Sequence, residues 1–193
     1  MKQISVNRTT ALIDIDNSRI SPTELRELTD EVSRNRLAVL EGALSVENLL
    51  SKMIGHFFFK RNNGNDKRLM FDEMVLNSDW CSFAAKRKLL TQIINKENLL
   101  QGSKKEEFDK NLQRVISFRN AFAHGKFSSD GKVVWLNYFA GTPQKQELTE
   151  KYLEEVESKL QSAWDRCFEL AEKMGAIKSI ETVNPVSSLR TNS

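Results

Sequence analysis

Proline and glycine are scarce in this sequence, with three and eight in 193 residues. This argues against a turn-dense all-β fold and leaves room for long uninterrupted helices. Cysteine is nearly absent too. Cys81 and Cys167 lie far apart with no Cys-x-x-Cys spacing, which rules out a thiolate zinc cluster built from one chain and a disulfide framework. Free thiols in a reducing cytoplasm are the expectation. No charge of one sign dominates: 29 basic against 26 acidic side chains leave +3, too little to mark a nucleic-acid binder by charge alone. Long hydrophobic runs are missing as well. The densest apolar cluster, Ile54 to Phe59, is interrupted by Gly55 and His56 and is too short to cross a bilayer. The opening MKQISVNRTTALIDID lacks the apolar core of a secretory signal. What is present, 39% hydrophobic and 28% charged residues, describes one ordinary globular domain with a buried core.

Periodicity then orders the chain. Residues 1 to 20 form a polar tail or an added edge, with the short alternation Leu12, Ile13, Ile15 as a candidate strand. Ser21-Pro22-Thr23-Glu24 is a helix start, with a capping serine, proline in the first turn and glutamate three residues after the cap. From there Leu25, Leu28, Val32, Leu37, Leu40, Leu44, Met53, Ile54 and Phe57 recur at helical steps to about Lys60, predicting one long helix or two consecutive ones. After the turn-rich residues 61 to 67, a short apolar helix is expected around Leu69 to Val75. Ser78 and Asp79 are expected to cap a further helix through Trp80, Leu90 and Ile94. A fourth helix begins near Lys104 and ends at His124-Gly125. The period then changes, and a two-stranded hairpin is predicted over about 132–148. Thr149 caps a last amphipathic helix that Gly175 stops. The domain thus spans 21–177, and the polar remainder, 178–193, is expected to be disordered. The predicted fold class is mostly α, a bundle of four to five helices with a small β-hairpin before the last helix.

The densest polar constellation is Phe118-Arg119-Asn120-Ala121-Phe122-Ala123-His124-Gly125. On a helix, Asn120 and His124 are four residues apart and share a face, while Phe118 and Phe122 continue the inward stripe of Phe108 and Val115. Ile116, Asn120, Ala123 and His124 make a face too apolar for open solvent and too polar for a core, which suits a cleft or a protein interface. The chemistry available there is metal-free phosphodiester cleavage. Arginine offers a permanent fork of donors to phosphate oxygens, and histidine exchanges a proton near neutral pH with a ribose 2′-hydroxyl or a leaving 5′-oxygen. Asparagine orients one of them or holds substrate.

At these residues the sequence resembles the HEPN superfamily, the higher eukaryotes and prokaryotes nucleotide-binding domains, whose signature is Arg, often followed by Asn, then four to six residues to His. Here the motif stands as Arg119-Asn120-Ala-Phe-Ala-His124, and the resemblance covers about residues 22 to 176. It implies a HEPN-like helical bundle and a metal-independent endoribonuclease leaving a 2′,3′-cyclic phosphate, with Arg119, Asn120 and His124 at the active site. It also implies a homodimer, because two copies of the motif usually meet across an interface and this chain carries one. RNA is then the substrate, no cofactor or metal is required, and members often serve as toxins or antiphage effectors with an antitoxin or other partner protein. Two alternatives stay open: a non-catalytic regulator or interaction module, similar in outline to mannitol operon repressor-like proteins, and a nucleotide-binding domain.

Other residues are secondary. Lys126, just past the motif, is the basic residue favoured for substrate contact. Glu41 and Glu47 are candidates to salt-bridge Arg119 or orient His124. Lys86-Arg87-Lys88 and Lys104-Lys105 are candidates to guide an RNA backbone, although charge runs on helices are usually solvated faces. His56 has no second histidine nearby and reads as a satisfied or partly exposed side chain rather than a metal ligand. No Gly-rich phosphate loop, His-Glu-x-x-His or Gly-x-Ser-x-Gly pattern occurs.

Overall fold

A computed structural model describes the backbone of residues 13–15 and all of residues 21–59 and 66–177. Residues 1–12, 16–20, 60–65 and 178–193, which hold most of the expected N-terminal tail, most of the turn-rich link and the expected disordered C-terminus, lie outside the described residues. One continuous helix, α1 (Pro22–Phe59), takes up the whole first apolar stretch. Its start is a reciprocal capping box: the Ser21 amide donates to Glu24 Oε2 at 2.9 Å and the Glu24 amide donates to Ser21 Oγ at 3.3 Å. These bonds hold the Glu24 carboxyl below its ordinary range. A short helix α2 (Asp66–Phe71) runs into a π-helical turn, Asp72–Leu76. Then come α3 (Phe83–Lys96), α4 (Gly102–His124), β2 (Lys126–Ser129), β3 (Val134–Phe139), β4 (Pro143–Glu147) and α5 (Glu150–Met174).

The fold is a mostly α bundle with a small sheet before the last helix. α1 packs on α5, α3 and α4. Its core face carries Val32, Val39, Ala43, Val46, Leu50, Met53 and Ile54. Leu37 and Leu44, read as part of that apolar track, are instead 56% and 55% exposed. They lie five residues beyond Val32 and Val39 in sequence, a step that rotates them off the core stripe. Trp80 is likewise exposed, because α3 starts three residues later than the Ser78-Asp79 pair led one to expect. Its true cap is Ser82, whose Oγ accepts from the Ala85 amide.

The predicted hairpin gains two strands. β3 and β4 pair antiparallel, with Phe139 opposite Pro143, near the expected bounds. β2, a strand the periodicity did not single out, pairs antiparallel with β3, Phe127 opposite Leu136, and both are buried. β1 (Ile13–Ile15) adds parallel to β2, giving the order β1-β2-β3-β4. The turn between β2 and β3 is built by Asp130, whose Oδ1 accepts from the Lys132 and Val133 amides at 3.0 Å each, and by Gly131 at φ 92°. The sheet follows α4 without a linker, and Phe127 meets Phe122 edge-on at 6.2 Å between ring centres.

Candidate functional site at the end of the fourth helix

The aromatic stripe of α4 faces inward as expected, with Phe108, Phe118 and Phe122 buried. Arg119, Asn120 and His124 are all exposed, while Ile116 and Ala123 between them are half-buried. Arg119 Nη1 donates to Asn120 Oδ1 at 3.1 Å, so the asparagine partners the arginine rather than the histidine ring. Lys126 is exposed at the first position of β2, two residues past His124, and its backbone is held in register with Asn137.

Three contacts fix where α4 stops. Gly125 donates to the Ala121 carbonyl at 2.8 Å. A Cβ on Gly125 would stand 2.3 Å from the Ala121 oxygen and 2.5 Å from Leu136 Cδ1, so only glycine lets the sheet approach this closely. From α1, Arg36 Nη2 donates to the Ala123 carbonyl at 2.8 Å across 87 residues of sequence, satisfying one of the carbonyls a helix end leaves unpaired.

α3 meets α1 at Glu47, where Lys86 Nζ lies 2.7 Å from Oε1, and meets α4 at Asp109 and Gln113, both bonded by Arg87. Beyond those contacts α1 continues toward its N-terminus and α4 toward its C-terminus, tied again by Arg36. Leu37 follows Arg36 directly, and Leu44 lies two turns further along the same stripe of α1. The two helices thus form a shelf tied by Arg36, with Leu37 and Leu44 exposed on α1 and Asn120 and His124 exposed at the end of α4.

Several secondary candidates are corrected by this geometry. Glu47 binds Lys86 instead of Arg119 or His124. Lys86 is 5% exposed and Arg87 bridges to Asp109, which leaves Lys88 as the exposed member of that run. Glu41 is exposed. Two grooves lie elsewhere. One of about 470 Å³ between α4 and α5 includes Lys110, Asn111 and Arg114, and one of about 430 Å³ between α1 and α5 is lined by Glu31, Glu154 and Glu157. Neither includes a motif residue. In the first, Arg114 and Arg166 are bound to Glu155 and Glu169. Among the described residues no cluster of three or more His, Cys, Asp or Glu is placed to hold a metal ion, and no helix is long and apolar enough to cross a membrane.

Arg36 and the exposed leucines are what sequence reasoning missed. No periodic signal joins residue 36 to residue 123, since the contact exists only once α1 and α4 pack. Compared with models of protein families, with curated proteins and with solved structures, the chain matches none.

Proposed function

We propose that the protein is a metal-independent endoribonuclease of HEPN type that acts as a symmetric homodimer. The observation that carries this reading is the exposure of Arg119, Asn120 and His124 together on one helix end, beside a stretch of α1 that leaves two leucines in solvent. Large exposed leucines next to a polar constellation suit a protein interface with a site at its edge. A second copy docked on this shelf brings two Arg119 and two His124 side chains together. One His124 then takes the proton of a ribose 2′-hydroxyl while its oxygen attacks the adjacent phosphorus. The partner's His124 gives a proton to the departing 5′-oxygen, so the products are a 2′,3′-cyclic phosphate and a 5′-hydroxyl. Arg119, oriented by Asn120, holds the non-bridging oxygens as their charge grows. Acid–base catalysis of this kind contributes about 10² to 10⁴-fold in rate. Lys126 steers the flanking backbone, and the biological role in view is that of a toxin or antiphage effector in the cytoplasm.

The test is cleavage of a labelled RNA pool in excess chelator by the wild type and by His124→Ala, with the product ends identified. Cyclic phosphate ends that disappear with His124→Ala support the reading. Metal-dependent cleavage, or cleavage that survives His124→Ala, contradicts it. The exposed leucines also favour a second reading, a non-catalytic interaction module, for which His124→Ala weakens association and no turnover exists to lose.

A further inference from the structure

One cation beside the motif has donors left over after the contact that ends α4. Arg36 is half-buried on α1 and donates through Nη2 to the Ala123 carbonyl. A guanidinium carries five N–H donors in a rigid fork, so one bond to one carbonyl uses a fraction of them. Among the described residues Arg36 has no carboxylate partner, in contrast to Arg68, Arg87, Arg114 and Arg166, each of which does. A half-buried guanidinium that caps a helix end with one bond keeps donors for an anion, and desolvation strengthens its pull on a charged oxygen. Its place is informative too. The carbonyl it binds belongs to Ala123, immediately before His124 and on the face of Asn120.

We propose that Arg36 is a second phosphate-contacting residue of the site, a claim that rests on the endoribonuclease reading. With one nitrogen it anchors α1 to the end of α4, and with its remaining donors it grips a phosphate of the RNA backbone adjoining the one that Arg119 holds. The site is thus assembled from two helices, and α1 contributes specificity for a polyanion as well as an interface.

A binding measurement separates this from a purely structural cap. The probe is a fluorescein-labelled, fully 2′-O-methylated oligoribonucleotide, which lacks the attacking hydroxyl and cannot be cleaved. Its affinity for the full-length wild type, Arg36→Gln and Arg36→Lys is measured by anisotropy across a salt series. Each phosphate contact adds about 0.7 to the slope of log affinity against log salt for a single strand. Arg36→Gln, which keeps a donor for the Ala123 carbonyl but loses the charge, is expected to lower the slope by about 0.7. It is also expected to weaken binding about ten-fold at low salt, as loss of a charge-assisted hydrogen bond does. Arg36→Lys is expected to keep the slope. Unchanged slopes in both variants, with wild-type binding and His124-dependent cleavage intact, overturn the role of Arg36 alone. A wild type that neither binds the probe nor cleaves RNA overturns the reading beneath it as well.

Discussion

Gly125 shows how much one residue decides at this site. Its φ of −71° suits any amino acid, so the demand for glycine is a matter of space, set by the Ala121 carbonyl and Leu136. Gly125→Ala is expected to destabilise the fold by about 1 to 3 kcal/mol, the range for overpacking. A urea midpoint equal to the wild type would mean the close approach is not real. The Glu47–Lys86 pair is a second residue-scale device. Lys86 is buried, so Glu47→Ala leaves an uncompensated charge and is expected to cost about 3 kcal/mol, whereas replacing both with leucine or methionine is expected to be close to neutral. Equal losses in the single and the double variant would contradict that. The shared face of Asn120 and His124 was legible from four-residue spacing alone. The partner of Glu47 was not, because on one helix a half-buried, paired carboxylate and a flanking one look alike until the neighbouring helix is placed.

Helices declared their ends unevenly. Ser21-Glu24 and Thr149 were readable because each precedes a clean apolar period, and both cap as expected, Thr149 Oγ1 accepting from the Tyr152 amide at 3.1 Å. Thr149→Ala is expected to cost about 1 kcal/mol in equilibrium unfolding, and a loss below a few tenths would show that the cap is dispensable. Ser82 went unread because Ser78-Asp79 offered an earlier cap of the same chemistry. β2 was missed although Asp130-Gly131 announces a tight turn, since its four residues are too few to show a period. α5 also carries a pH signature. Burial pushes the Cys167 thiol well above its ordinary range, and burial, then Tyr138 and Glu155, raises Tyr152 from 10.0 to about 12. Both groups stay neutral in the fold where the unfolded chain ionises, so their contribution is complete below the thiol's ordinary 9.0 and is lost as pH rises past it. The urea midpoint is expected to fall progressively above about pH 9, and a midpoint flat to pH 11 would contradict the assigned burial.

At the scale of the molecule, the bundle and the sheet together hold one helix end open. α3 is tied to α1 and α4 by the Lys86–Glu47 and Arg87–Gln113 contacts, and the sheet packs against the bundle through Phe127 and Leu136. The overall class, helices with a small sheet before the last, was legible from the scarcity of proline and glycine and from the change of period after Gly125. The shelf was not, since Leu37 and Leu44 recur at helical steps like core residues in sequence, yet the five-residue step from Val32 and Val39 turns both into solvent. If the shelf joins two copies, Leu37→Asp with Leu44→Asp is expected to yield a folded monomer. Sites this exposed change stability by about 0.5 kcal/mol or less. An unchanged dimer mass in sedimentation would place the interface elsewhere. The most direct measurement follows from the same idea: metal-free RNA cleavage per protomer, recorded across a dilution series in excess chelator with the mass of each sample determined by sedimentation. The rate per protomer is predicted to track the dimer fraction and to vanish in His124→Ala. A rate that stays constant as the dimer dissociates, or a dimer that leaves RNA intact, would contradict a composite ribonuclease site.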